Sequence, residues 1–235
     1  NTVYQYSLGG FDVSAQDINP YGLFFKPDGT KMYIVGNAGD DINEYDLSAA
    51  WDTSTATFVQ SFSVASQETN PTGLSFKTDG TKMYVTGLSG DNVNEYDLST
   101  AWDISSATYL QNFSVATQDT IPFHLFFKPD GTKMYMVGLT GDDINEYDLS
   151  TAWDVSTASY SQTFDPSANV TEPYGLFFKP DGTKMYLTDV VGDDVSEYDL
   201  STAWDVSTAS FLQDFSVAGQ STVPTSLFFK PEGDK

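Results

Sequence analysis

Apolar residues in this chain fall into short runs, and the pattern of runs returns every 51 residues. Residues 22–26 (Gly-Leu-Phe-Phe-Lys) form an apolar run that stops at Pro27, Asp28 and Gly29. A short apolar run bounded by turn residues predicts a buried strand. Pro at the second turn position and Gly at the fourth suit a type I turn, with Gly29 free to take positive φ. Residues 31–35 (Lys-Met-Tyr-Ile-Val) then read as the return arm of a hairpin. A second turn at 36–39 leads into a more polar strand over 41–47 (Asp-Ile-Asn-Glu-Tyr-Asp-Leu). A longer connection over 48–57 carries Trp51 and Asp52. Beyond it Phe58, Gln60, Phe62 and Val64 alternate with Val59, Ser61 and Ser63. That period of 2 predicts a strand with one buried face.

The hairpin motif Lys-Pro-Asp-Gly-Thr-Lys-Met-Tyr begins at Lys26 and recurs in full or in part at Lys77, Lys128, Lys179 and Lys230. A fixed period in this range signals a repeat architecture. Four antiparallel strands per unit, units in tandem and no helical periodicity predict an all-β fold, a β-propeller. We label the strands of a unit a to d from the centre outward. Four full repeats span 22–72, 73–123, 124–174 and 175–225, within a single domain over 1–235. Residues 3–8 match a strand c, residues 11–14 match the end of a strand d, and residues 226–230 match a strand a. The prediction is therefore a five-bladed propeller, with 1–21 and 226–235 sharing one split blade and closing the ring. The chain starts partway through a repeat, as a processed or excised product would.

Charge narrows the partners. Ten basic residues face 33 acidic ones, for a net charge of −23. There is no arginine, and the lysines fall at two repeat positions, such as Lys26 and Lys31. Such a surface repels phosphate backbones and anionic lipid, so neither nucleic acid nor a membrane surface is an expected partner. No apolar run is long enough to insert into a membrane. The chain has no cysteine and one histidine, His124, which leaves zinc sites and a Ser-His-Asp triad without material.

The pattern Pro-x-Gly-Leu-x-Phe-x-Pro-Asp-Gly-x-x-Met-Tyr-x-x-Gly starting at Pro20, followed by an acidic strand ending Tyr-Asp-Leu, resembles the propeller repeats of the YVTN, NHL and lactonase-like group. The resemblance covers the whole chain and implies the fold. It implies no single function, because that group includes enzymes, lectins, scaffolds and surface-layer proteins. Lactonase-like members hold a metal with carboxylates and amides reaching into the channel. Strand a of this chain carries Leu, Phe, Phe and Lys, and so departs from that pattern.

Several features bear on function. Trp51, Trp102, Trp153 and Trp204 would either stack on sugars from a solvent-facing ring or pack the c–d connection onto each blade. Glu44 and Asp46 share a strand face and would either hold calcium or pair with the repeat lysines. His124 stands where Gly22, Gly73 and Gly175 stand in the other repeats. Asp189 replaces the glycine that ends strand b elsewhere. Variation among repeats concentrates in the d–a crossings and the b–c turns, which an up-and-down blade places on one face around the channel mouth. The candidate ligand-binding residues on that face are Tyr21, Phe123, His124, Tyr174 and Asp189. The near-symmetry of the chain favours a non-enzymatic binding or surface module, extracellular or surface-associated. Its expected partner is carbohydrate or protein. It needs no cofactor, with calcium the one candidate. The alternatives are a propeller hydrolase or lactonase using Asp17, Glu68, Asp119 or Glu172 of the variable face, and a structural repeat of an extracellular or virion assembly.

Overall fold

The structure, a computed structural model, describes residues 10–230. Each 51-residue unit folds as a four-stranded antiparallel meander. Blade 1 comprises β1 (Pro20–Phe25), β2 (Lys31–Gly36), β3 (Asp41–Leu47) and β4 (Ala56–Ser63). Blade 2 comprises β5 (Pro71–Phe76), β6 (Lys82–Gly87), β7 (Asn92–Leu98) and β8 (Ala107–Ser114). Blade 3 comprises β9 (Pro122–Phe127), β10 (Lys133–Gly138), β11 (Asp143–Leu149) and β12 (Ala158–Phe164). Blade 4 comprises β13 (Pro173–Phe178), β14 (Lys184–Asp189), β15 (Asp194–Leu200) and β16 (Ala209–Ser216). Strand order within each sheet follows the chain. The innermost strands β1, β5, β9 and β13 stand side by side around the axis.

The blades bond through aromatic rings and one buried polar network. Tyr33, Tyr84 and Tyr135 lie 4.5, 4.3 and 4.4 Å by ring centroid from Phe76, Phe127 and Phe178 of the next blade. Their hydroxyls donate to the backbone oxygens of Trp102, Trp153 and Trp204, each at 2.7 Å. The inner phenylalanines Phe25, Phe76, Phe127 and Phe178 are buried, whereas Phe229, at the same repeat position, is only partly buried.

The five-bladed expectation is corrected: the propeller has four blades of four antiparallel strands. Residues 226–230, expected as a strand a, run beside blades 1 and 4 without joining a sheet. A strand needs a partner ladder, and the return arm that would supply it would begin only at Lys235, which lies outside the described residues. The matching strand c at 3–8 lies outside them too. The gap between blades 4 and 1 is instead bridged by side chains. Phe228 touches Phe24, Phe25 and Trp51 on one side and Phe177 on the other. Thr225 Oγ1 donates to Tyr21 O at 2.9 Å, and Leu23 N donates to Ser226 Oγ at 3.3 Å.

Candidate functional site

The inner strands of all four blades begin with an irregularity in register just after their proline. Pro20 opposes Gly36 and Gly22 opposes Val35, which leaves Tyr21 as the extra residue of a β-bulge. Phe123 is the extra residue in blade 3, and Tyr174 falls in the equivalent shift of blade 4. Bulges re-aim side chains, and here they turn three aromatics from three blades toward one another. Tyr21 and Phe123 meet edge-to-face at 5.4 Å, and Phe123 and Tyr174 lie 4.2 Å apart. Phe123 is buried, while Tyr21 and Tyr174 keep part of their surface in solvent. Burial first, then the charges of Glu172, Tyr21 and Asp142, raise the Tyr174 pKa.

His124 follows Phe123 and is 5% exposed. Its Nε2 lies 3.4 Å from Ser226 Oγ, and its Nδ1 has no hydrogen-bond partner. Burial pushes its pKa down to about 4, so the imidazole is neutral at pH 7. Next to it the channel narrows to a cavity of about 20 Å³ lined by leucines and phenylalanines such as Leu74, Phe126 and Phe228. That space fits about one water molecule. The axis is a packed core at this level, and a roomier cavity of about 520 Å³ lies between blades 1 and 4, lined by Tyr21, Thr188, Val223 and Phe228 among others.

Asp189 sits elsewhere in the same face and does a folding job. In the second and third units an acid in the d–a crossing holds backbone amides of both variable loops, while among the described residues Asp17 of the first unit accepts only from Asn19 N. Glu68 accepts from Asn70 N, Ser89 N and Gly90 N, and Asp119 accepts from Ile121 N and Thr140 N. Gly36, Gly87 and Gly138 make room, since a side chain there would collide with Asp17, Glu68 or Asp119. In blade 4 the acid has become Val170, which is fully buried, and the glycine has become Asp189. The carboxylate now reaches the loop from the opposite side, accepting from Thr171 N, Glu172 N and Val191 N at 2.9, 3.2 and 2.9 Å.

The exchange has a consequence in blade 4. Asp41 and Asp143 accept from Asn43 and Asn145, but at the equivalent place in blade 4 Asp194 meets Ser196, which donates instead to Asp214 at 2.7 Å. Asp194 and Asp189 both reach within about 3 Å of one point beside Gly192, at 2.8 and 3.1 Å. Asp194 Oδ1 is buried and unpartnered. Burial, then the charges of Asp214, Asp189 and Asp193, push the Asp194 pKa up to about 6. The hydroxyl of Tyr198, a residue 1% exposed, is also unpartnered, whereas Tyr45 and Tyr96 reach Gln16 and Gln67. Burial and then Asp214, Asp189 and Asp194 raise its pKa. Asp194, Asp214 and Tyr198 were not among the sequence candidates. Their signal lay in one unit losing an asparagine at 196 while gaining carboxylates at 189 and 214.

The remaining candidates are structural. Trp153 and Trp204 are buried, and all four tryptophans stack on inner phenylalanines, so they form no solvent-facing ring. Glu44 and Asp46 both pair with Lys31 Nζ at 2.6 Å. Among the described residues no three His, Asp or Glu side chains are arranged to hold a metal ion, and no helix is long and apolar enough to cross a membrane.

No family model matches the chain, and no curated protein matches it in sequence. Solved structures do match it in shape. A proposed 6-phosphogluconolactonase from Bacteroides uniformis superposes with a TM-score of 0.58 at 14% identity, over 90% of this chain and 60% of its own. The periplasmic gluconolactonase of Pseudomonas aeruginosa gives 0.54 at 17% identity, over 84% of this chain and 54% of its own. The chain shares its fold with lactonase-type propellers. The Cps50 (Swd1) β-propeller domain of Myceliophteria thermophila matches at 0.52 and 12% identity, over 84% of this chain and 59% of its own. The likeness is one of fold, and this chain spans little more than half the length of each of these three propellers.

Proposed function

We propose that this chain is a lactonase-type hydrolase that opens a small cyclic ester at its variable loop face. The observation that carries the reading is the unequal environment of the blade 4 carboxylates. Asp189 is fixed by three backbone amides. Asp194 is desolvated beside it, with its pKa pushed up to about 6. A carboxylate poised near neutral pH is suited to moving a proton in both directions. Asp194 takes a proton from water as the oxygen adds to the lactone carbonyl. It returns that proton to the ring oxygen as the C–O bond breaks, giving the hydroxy acid. The lactonase names of two propellers that share this fold support the reading as analogy.

The test is base consumption in a pH-stat with dihydrocoumarin and glucono-1,5-lactone. Wild type should exceed the buffer rate, with an inflection near pH 6. Asp194→Asn should lose about 10²-fold or more. A wild-type rate equal to buffer, or full activity in Asp194→Asn, rules the reading out. A binding module for carbohydrate or protein is the second reading. It is favoured by a separate observation, the partly exposed aromatics over a closed channel.

A further inference from the structure

The two faces of the propeller differ in charge. The lysines from Lys26 to Lys184 flank the a–b turns, and each is ion-paired with an acid of its own blade. The variable face presents Asp40, Asp91, Asp142, Glu172 and Asp193 at least partly to solvent, and its loops hold no lysine. The single histidine beneath it is neutral. Ile18, Val191 and Val223 are exposed on the same face, at 72%, 59% and 56%.

A solvated acidic rim alone would need no ligand. Here it surrounds an aromatic centre that three bulges assemble. Two of its rings are open to solvent, and Glu172 and Asp142 are close enough to influence the Tyr174 hydroxyl. Beside the centre, His124 Nδ1 is deeply buried without a partner. We propose that the channel mouth binds an organic cation, an amine or quaternary ammonium with an apolar body. Ring faces attract such a group through their quadrupole, and carboxylates add a long-range field. An anion is repelled by the same field. A neutral ring gains stacking alone. A hard metal ion would want six or more oxygen ligands, and the described residues gather no such set. The inference does not depend on hydrolysis in blade 4.

Choline and its neutral carbon isostere 3,3-dimethylbutan-1-ol separate charge from shape. Titrated by calorimetry and tyrosine-edited NMR at fixed ionic strength, choline should bind about one per chain. It should bind at least tenfold more tightly than the alcohol. Tyr174→Leu should weaken it about tenfold or more. The exposed change Glu172→Gln, which spares the packing, should weaken it about threefold. Tyr109→Leu at the outer rim should leave it unchanged. The inference is overturned by equal affinity for the alcohol, by no saturable choline binding, or by binding indifferent to both Tyr174→Leu and Glu172→Gln.

Discussion

At Gly29, Gly80, Gly131 and Gly182 the backbone takes φ of 72 to 75°, and a side chain there would fall inside the ring of the tryptophan that follows the next strand pair. Those tryptophans themselves take φ of 65 to 67°, a costly conformation for a bulky residue. Ring stacking and the bond from Trp51 N to Gly29 O at 3.0 Å hold the first of them there. Motif constancy at these glycines was legible in sequence, and so was the strand-a phenylalanine. The orientation of Tyr21 and Phe123 was not, because a bulge is set by pairing register and leaves no mark in hydrophobic periodicity. His124 offers a residue-scale test. Its folded pKa, about 4, lies below the unfolded value near 6.5. Above pH 6.5 both states are neutral and nothing is lost. As pH falls from 6.5 toward 4 the unfolded chain binds a proton that the folded chain refuses. Stability should drop by up to about 3 kcal/mol across that window. Asp194 acts with the opposite sign, since its raised pKa lets the fold take a proton first as pH falls through 6. Denaturant titrations at pH 4.5 and 7 in an Asp194→Asn background should therefore show the drop clearly. His124→Gly should flatten it, and an unchanged slope would mean that the imidazole is solvated.

At the scale of the blade, the acidic strand c joins neighbours. Glu95 is fully buried and accepts from Lys82 Nζ, from Gln111 Nε2 at 3.0 Å, and from Val155 N of the next blade at 3.1 Å. Gln111 also donates to Asp154 of that blade at 2.8 Å. Glu44 and Glu146 repeat the arrangement toward Ile104 and Val206. Among the described residues Glu197 keeps Lys184 and Gln213 but has no amide donor from a following blade, and its side chain is 13% exposed. The chain thus contains its own control. Glu95→Gln leaves a partly buried lysine and a buried amide short of an acceptor, and should cost about 2–4 kcal/mol. Glu197→Gln should cost about 1 kcal/mol or less. Equal losses in urea titration would show that the inter-blade amide adds nothing. The lysine partnership was one of two sequence readings for this strand. The bond to the next blade was not legible, because residues 60 positions apart meet only once the ring forms. The exchange of Val170 and Asp189 illustrates the same limit: in sequence Asp189 is an isolated departure, and only the amides it holds reveal that it takes over from the acid lost at 170.

Across the whole molecule, the repeat foretold the architecture but not the number of complete blades. Residues 226–230 carry the strand-a motif with Ser226 in place of its glycine, and Phe229 even sits 4.5 Å from Tyr186, as Phe76 sits from Tyr33. Yet a motif specifies where a side chain packs, while a strand also requires a hydrogen-bonded neighbour. Among the described residues that segment joins no strand ladder, although Ser226 accepts from Leu23 N. Among the described residues, closure between blades 4 and 1 rests on few contacts, with Phe228 at their centre. This junction should be the weakest in the ring. Phe228→Ala removes ring contacts to Phe24, Phe25, Trp51 and Phe177 at once. Because the residue is only partly buried, the expected loss is about 2–3 kcal/mol, below that of a fully enclosed phenylalanine. Phe211→Ala on the outer strand, where the ring is 39% exposed, should cost under about 1 kcal/mol. Hydrogen exchange distinguishes a local opening from a general loss of stability. In Phe228→Ala the amides of β1 and β13 should exchange faster, while those of β5 and β9, each flanked by complete blades, keep their protection. A uniform acceleration across all four inner strands would mean that the ring unfolds as one unit and that its closure is no weaker than the junctions between sheets.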